Sequence, residues 1–311
     1  MTDDELFQPF VSFRESNNTI GFSAQPRIAP QGGLTRSSLL LLLIHGFNNT
    51  MEGATESYSG WRDLQQALGG INEGINVAAV YWPASNFENF AVYMQTIGKA
   101  TESARRLADV LREKANAFGL LRVRVVTHSL GGRLLLELIR ELNDNPSPRL
   151  QIESFVVMAA AVPTFMLQPA DASHNRPLRV ALDAAMNRRF RSLFSRHDWV
   201  VGWVFRLGET LRGEGLLAVS LGSREWTGPS AIAPPRLTQQ EISGASHGDY
   251  WPSRNNLMES HGVAAGKSIR ELLQVGPAPR EIAARDLDAR DTPSPRDTAA
   301  GRTTPSRTTR G

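Results

Sequence analysis

The chain has 311 residues, a formal net charge of +3 and no cysteine. This length allows a large buried core, and the lack of cysteine excludes disulfides, a thiol nucleophile and thiolate metal sites. Residues 277–311 hold seven Arg and five acidic residues, so the net charge of the rest of the chain is close to zero. Because these Arg are spaced apart, mixed with acidic residues and not accompanied by aromatics, a nucleic-acid-binding surface is not expected.

The N-terminal part gives no sign of a targeting or membrane segment. The chain starts Met1-Thr2-Asp3-Asp4-Glu5, which is acidic where a secretory signal would be basic and then apolar, so we expect a cytoplasmic protein. The apolar run Leu39–Ile44 has six residues, whereas a membrane span needs about 20. It predicts a buried strand, and residues 1–34 before it are expected to form an N-terminal extension that could add edge strands.

From this run onward, segments typical of strands alternate with segments typical of helices. The predicted strands are rich in apolar residues, and the predicted helices carry apolar residues three or four positions apart. The strands are Leu39–Ile44, Val77–Trp82, Leu121–Thr127, Ile152–Ala159, Phe190–Ser195 and Leu216–Leu221; the helices are Gly60–Leu68, Thr101–Phe118, Arg133–Leu142 and Pro177–Arg188. This order predicts an α/β fold over residues 35–276, a mainly parallel sheet with helices on both faces and a site at the carboxyl edge of its strands.

The remaining segment, residues 277–311, is rich in Pro, Thr, Arg, Ala and Asp and contains no aromatic residue. We expect a disordered tail, and nothing in its composition identifies a partner. The sequence contains neither a dinucleotide-binding nor a phosphate-loop glycine pattern, and its six His are scattered. No nucleotide cofactor and no metal site are therefore expected.

One segment has the pattern of a nucleophile elbow, Thr127-His128-Ser129-Leu130-Gly131-Gly132. A predicted strand precedes it and a predicted helix follows it, so Ser129 lies on a strand-to-helix turn. The other interpretation is an ordinary helix start capped by Ser129. Glycines allow close packing at such a turn, and Thr127 is larger than the usual glycine on the strand side, which requires a more open elbow or a smaller neighbour.

Three segments together resemble the α/β-hydrolase superfamily: Leu41 to Asn49 (LLLIHGFNN), Val80 to Pro83 (VYWP) and Thr127 to Gly132 (THSLGG). The resemblance extends over roughly residues 35–265 and is greatest to bacterial lipase- and esterase-like hydrolases. It implies that the backbone N–H groups of Phe47 and Leu130 form an oxyanion hole. It also implies that His45 organises its loop, while His128, beside the nucleophile, is expected to be packed and hydrogen-bonded.

The chain order of this superfamily, Ser then Asp or Glu then His, implies a base near the C-terminal end. His247 fits, because it lies in a Gly/Ser-rich loop after the last predicted strand, whereas His261 lies beside the final predicted helix and is the alternative. For the acid, the resemblance favours Asp198, which follows the strand Phe190–Ser195. Asp198 could instead cap the stretch that begins at Trp199, and the other acid candidates are Asp171 and Asp249.

The resemblance implies a cofactor-independent serine hydrolase with the triad Ser129, His247 and Asp198, acting through an acyl-enzyme on a small-molecule carboxylic ester. Aromatic residues at helical spacing more often belong to the core, but one set could also form a lid or acyl wall and on that account favours an apolar acyl group. These residues are Phe87, Phe90, Tyr93, Met94 and Pro163 to Met166. A thioesterase, an amidase or an acyltransferase would use the same triad. The alternative of another class is a non-catalytic, hydrolase-like binding module.

Overall fold

The computed structural model describes residues 5–16, 21–30, 34, 37–47, 49–84, 90–164, 189–204, 219–226, 237–252 and 257–275, with the backbone alone at 90–94 and 203–204. The chain divides into a unit Met1–Gly276 and a unit Pro277–Gly311. The predicted disordered tail, the predicted helix Pro177–Arg188 and Asp171 lie outside the described residues.

Among the described residues, eight strands form one sheet, in the spatial order β2-β1-β4-β3-β5-β6-β7-β8. All pairings are parallel except that of β1 with β2. The strands are β1 Phe10–Arg14, β2 Phe22–Ala29, β3 Leu39–Ile44, β4 Asn76–Tyr81, β5 Leu121–His128, β6 Leu150–Met158, β7 Arg189–Phe194 and β8 Leu237–Glu241. The prediction of a mainly parallel α/β sheet is confirmed, and β3 to β7 lie within two residues of their predicted bounds.

In the described part of the chain, four α-helices cover the sheet: α1 Met51–Ala67, α2 Phe90–Phe118, α3 Gly131–Asp144 and α4 Ser260–Leu273. Alternate residues of β3 show why both faces need a cover. Leu40 and Leu42 belong to the core cluster that contains α2 and α3, while Leu41 and Leu43 belong to the cluster that contains α1 and α4. Both sets are fully buried, as expected for a strand with side chains on two covered faces. None of the described helices is both long and apolar enough to cross a membrane.

The prediction of a strand at Leu216–Leu221 is wrong for its described part. Residues 219–221 form a single bridge between Ser220 and Pro163 and then a turn, and they lie across the end of β6, where the Leu221 N–H donates to Val162 O at 2.9 Å. Leu221 is buried there without joining the sheet. The last strand at this edge of the sheet is β8, which was not predicted. An edge strand does not need a continuous apolar run, and Leu-Thr-Gln-Gln-Glu has only one buried residue.

The N-terminal extension does form two strands. β2 lies at the edge of the sheet, while β1 is enclosed between β2 and β4 and all five of its residues are buried. Since β1 runs parallel to β4, its carboxyl end lies at the same sheet edge as those of β3 to β8. That edge carries the residues described next.

Candidate active site

Ser129 follows β5 on a sharp turn with φ +52°, a left-handed conformation that a non-glycine residue adopts only when its surroundings impose it. The turn is held by the Ser129 N–H, which donates to Met158 O at 2.9 Å, and by the Ser129 carbonyl, which accepts from Gly132 N at 3.0 Å. The structure therefore has the strand-turn-helix geometry of a nucleophile elbow.

Glycines next to Ser129 leave room for this turn. A Cβ added to Gly131 would lie 2.6 Å from His45 O, and one added to Gly46 would lie 2.7 Å from the Ser129 Cβ. Thr127 is fully buried, and its hydroxyl faces Gly132, where an added Cβ would lie 3.7 Å from it. At that distance a Cβ would make an ordinary van der Waals contact, so the room for Thr127 does not depend on Gly132.

A chain of hydrogen bonds joins the three side chains that the sequence analysis selected. The Ser129 Oγ lies 3.0 Å from His247 Nε2, and the His247 Nδ1 lies 2.8 Å from Asp198 Oδ2. The Asp198 side chain is fully buried, and the His247 side chain is 21% exposed. The hydroxyl of Ser129 therefore bonds to an imidazole and does not cap α3, whose N-terminus has no side-chain cap.

The Asp198 carboxylate both caps the segment that follows it and contacts His247. Its Oδ1 accepts from the N–H groups of Val200 and Val201 at 3.1 and 3.2 Å, at the start of the short π-helical segment Val200–Val204, while Oδ2 is left for the imidazole of His247. Because three N–H groups converge on one carboxylate, its orientation toward His247 is fixed.

The alternative acid Asp249 and the alternative base His261 contact each other. Asp249 Oδ2 accepts from Ser246 N at 2.7 Å and lies 3.5 Å from His261 Nδ1. Within the described ranges, Asp249, Glu259 and His261 each offer one ligand atom, and these atoms lie within 4.8 Å of one another. This group has the spacing of a metal site, although no metal was expected from the sequence. The three residues are partly exposed.

His45 organises the loop after β3 and does not contact Ser129. Its ring stacks on Trp82 with centroids 5.7 Å apart, and its Nδ1 donates to Gly46 O at 2.8 Å. This tautomer leaves Nε2 to accept from Trp82 N and from Arg14 Nη2, both at 3.4 Å. Burial and the neighbouring Arg14 keep the pKa of His45 well below its usual value, so the ring stays neutral.

The loop that starts at His45 lies against the nucleophile, as the close approach of Gly46 to Ser129 shows. Phe47 is partly buried on the core, and the Asn49 side chain donates to Phe47 O at 3.3 Å. Leu130 is fully buried at the N-terminus of α3. Phe47 follows Gly46 and Leu130 follows Ser129 in the chain, so both are near the nucleophile, and their N–H groups as oxyanion donors stay a prediction.

Of the residues expected to form a lid or acyl wall, only part is described. Phe87, Phe165 and Met166 lie outside the described residues, and for Phe90, Tyr93 and Met94 the described part is the backbone of α2. Pro163 and Thr164 are buried against residues 219–220, where the Thr164 N–H donates to Val219 O at 2.8 Å. The lid or wall therefore stays a prediction.

His128 is buried and hydrogen-bonded, as expected. Its Nε2 donates to the backbone carbonyl of His247 at 2.7 Å, and the two rings lie 4.8 Å apart. Burial is the main cause that lowers the pKa of His128 to about 3, with the nearby His247 contributing. The elbow and the loop of His247 are therefore joined through a neutral imidazole.

The lowered pKa of His128 predicts acid sensitivity of the fold. In the unfolded chain the imidazole takes up a proton near its ordinary pKa of 6.5, whereas in the folded protein it does so only near 3. The free energy of unfolding should hence be fully retained above about pH 6.5 and fall as the pH decreases toward 3, by up to about 1.4 kcal/mol per pH unit for this proton. The variant His128→Gln keeps an N–H donor but has no imidazole to protonate. In denaturant unfolding from pH 3.5 to 7, its free energy of unfolding should change less steeply with pH than that of the wild type.

The matched control is His197→Gln, which changes an exposed histidine next to Asp198 and should retain the wild-type slope. Equal slopes for His128→Gln and the wild type would mean that the neutral burial of His128 contributes nothing to acid sensitivity.

A comparison with curated proteins finds no match. Among solved structures, Aspergillus fumigatus lipase B is 10% identical with a TM-score of 0.43, and the match covers 83% of this chain and 58% of the lipase. The RedJ thioesterase of Streptomyces coelicolor is 13% identical with a TM-score of 0.42, covering 77% of this chain and 92% of that one. The Pyrobaculum calidifontis esterase is 13% identical with a TM-score of 0.40, and the match covers 76% of this chain and 77% of the esterase.

The family model of the α/β hydrolases of unknown function (DUF900) matches residues 32–193. These residues include β3 to β6, the loop after β3 and the elbow at Ser129. Because the match spans more than half of the sequence, the chain belongs to this family of α/β hydrolases.

Proposed function

We propose that the protein is a serine hydrolase that cleaves carboxylic esters through an acyl-enzyme intermediate. The observation that carries the proposal is the continuous hydrogen-bonded chain from the Ser129 hydroxyl through the His247 imidazole to the buried Asp198 carboxylate. This arrangement provides a nucleophile, a base in contact with it, and a group that orients the base.

In the first half-reaction, the Ser129 Oγ attacks the ester carbonyl carbon while His247 Nε2 takes the hydroxyl proton. The carbonyl oxygen becomes an oxyanion, for which the N–H groups of Phe47 and Leu130 are the proposed donors. As the intermediate collapses, the bond to the leaving alkoxide breaks and His247 returns the proton to it. Asp198 keeps Nδ1 protonated and stabilises the imidazolium.

In the second half-reaction, water attacks the acyl-enzyme, and His247 takes one proton from that water. The second tetrahedral intermediate expels Ser129 Oγ, which regains its proton from His247, and a carboxylic acid is released. Each step uses groups of the chain itself and water. An apolar acyl group remains the expected substrate feature.

The test combines a covalent probe with a substrate panel. A fluorophosphonate should label the wild type with one equivalent, and peptide mapping should locate the adduct at Ser129. A p-nitrophenyl ester series from short to long acyl chains should be hydrolysed with an optimum length. Comparison with the thioester and the anilide of the best acyl group then tests the ester preference against thioesterase and amidase activity.

A matched control is Ser243→Ala, which changes an exposed serine four residues from His247 and should be labelled like the wild type. A folded protein that takes up no probe and hydrolyses no member of the panel would contradict the proposal and favour the binding module. Faster cleavage of the thioester or the anilide would retain the serine mechanism and change the substrate class. Transfer of the acyl group to added alcohol would assign acyl transfer.

A further inference from the structure

Arg14 is a buried cation at the active-site edge of the sheet. It ends β1 and is 4% exposed. Its Nε donates to Trp82 O at 2.8 Å, directly after β4, and its Nη2 donates to Asn49 O at 2.5 Å and to His45 Nε2 at 3.4 Å. One guanidinium thus joins the end of β1, the end of β4 and the loop after β3.

The charge of Arg14 has no counter-ion in the described part of the chain, where no carboxylate lies within ion-pairing distance of it. Burial lowers the pKa of its guanidinium to about 10, which still leaves it charged at neutral pH. A desolvated cation whose hydrogen bonds go to two carbonyl oxygens and an imidazole is costly to the fold. Buried charges that destabilise the fold are concentrated at functional sites, where a fixed electrostatic field acts on the reacting groups.

The loop after β3, of which residues 45–47 and Asn49 are described, lies between this cation and the nucleophile. On one side, Arg14 holds the loop at His45 and Asn49. On the other side, Gly46 approaches Ser129 so closely that a Cβ on it would lie 2.7 Å from the Ser129 Cβ. Phe47, whose N–H is a proposed oxyanion donor, lies between these two fixed points.

We infer that Arg14 is a positioning residue of the oxyanion hole, which fixes the loop 45–49 against Ser129 and supplies a positive field to the negatively charged tetrahedral intermediate. The inference rests on the proposed function. Arg14 does not touch the substrate, because its guanidinium is buried behind the loop. It precedes residues 32–193, so the N-terminal strand β1, outside the match to the family, is a working part of the site.

The test compares Arg14→Met, which removes the charge, with Arg14→Lys, which keeps the charge but not the fork of donors. Activities are expressed per equivalent of fluorophosphonate-reactive enzyme, so that misfolded protein does not count. We expect kcat of Arg14→Met on the best ester to fall by about 10- to 100-fold, less than for loss of a direct oxyanion donor, with KM changed by no more than about threefold. Arg14→Lys should lie between Arg14→Met and the wild type.

Two inhibitors separate a role in charge stabilisation from a merely structural role. A boronic acid that forms an anionic tetrahedral adduct with the serine should bind Arg14→Met more weakly by about the same factor as kcat falls, because both report the stabilisation of that charge. A neutral, non-hydrolysable amide of the same acyl group should bind equally well to both proteins. Arg27→Met, an exposed arginine on β2, is the matched control and should behave as the wild type.

Equal kcat and equal boronate affinity in Arg14→Met and the wild type would overturn the inference, as would parallel losses for the boronate and the neutral amide. Should Arg14→Met fail to fold, Arg14→Lys decides alone: a kcat and a boronate affinity within twofold of the wild type would contradict the inference. Failure of the proposed function looks different, since the wild type itself would then neither react with the probe nor hydrolyse the esters.

Discussion

Replacement of Ser129 by alanine is expected to reduce kcat for ester hydrolysis on the order of 10³-fold or more, since it removes the only hydroxyl that the His247 imidazole contacts among the described residues. Without that oxygen no acyl-enzyme forms, and the remaining rate comes from water in a site that still binds the substrate. The measurement is kcat and KM on the best p-nitrophenyl ester, together with the loss of fluorophosphonate labelling.

Alanine is the appropriate replacement because it retains the Cβ at a residue with φ +52°. A glycine would relax the left-handed turn and change the elbow as well as the chemistry. The variant should keep the Tm of the wild type or exceed it, since the fold depends on the backbone bonds of Ser129 and not on its hydroxyl. The substrate KM should stay close to the wild-type value.

Ser243→Ala is again the control for an alanine substitution near the histidine loop, and its kcat should be unchanged. If Ser129→Ala retained a substantial part of the wild-type rate, the nucleophile would have to be another group, and the assignment of Phe47 and Leu130 to the oxyanion would fail with it. A loss of Tm together with activity would indicate structural damage instead.

The central part of the fold could be predicted from sequence because physical constraints there leave a plain pattern. A strand covered on both faces needs a continuous apolar run, and Leu39–Ile44 has one, with its alternate residues divided between the two core clusters. The rule that an apolar run predicts a strand was wrong at the edge of the sheet. β8 is an edge strand with polar residues, whereas the apolar run at Leu216–Leu221 is buried in its described part by packing on the end of β6.

The candidate site was predictable to the extent that it depends on local sequence and chain order. The elbow is a local pattern, and the resemblance supplied the order that favoured His247 and Asp198. Arg14 was missed because nothing near it in sequence indicates its role: its partner Trp82 is 68 residues away. In Phe-Val-Ser-Phe-Arg an arginine suggests the solvent end of a strand, and only the close approach of β1 to β4 makes it a buried cation.

The roles considered for Asp198 illustrate a different limit. From sequence, helix capping and orientation of the base were alternatives, but a carboxylate has two oxygens, and one accepts from the Val200 N–H while the other contacts His247 Nδ1. The choice between Asp198 and Asp249 likewise needed three-dimensional information, and Asp171 lies outside the described residues. Asp249 is only two residues from His247, yet its carboxylate bonds to the backbone of Ser246 and pairs with His261.

The two-oxygen arrangement makes Asp198→Asn the second large prediction. The asparagine oxygen must take the place of Oδ1, since the N–H groups of Val200 and Val201 both donate there and an amide nitrogen could not accept them. The NH₂ group then faces His247 Nδ1 and donates to it, so the neutral ring must carry its proton on Nε2. That tautomer cannot take the proton of Ser129, and kcat should fall about 10⁴-fold with the fold intact.

The measurement is kcat per folded molecule, with near-UV circular dichroism and Tm to establish that Asp198→Asn retains the structure. Asp249→Asn is the matched control: it makes the same change in the same part of the site, on a carboxylate that contacts Ser246 and His261, and it should cost no more than about tenfold. The two variants discriminate sharply, because only a carboxylate that accepts from His247 Nδ1 selects its tautomer. A larger loss in Asp249→Asn than in Asp198→Asn would transfer the role of the acid to Asp249, and the arrangement of three N–H donors on Asp198 would then serve the fold alone.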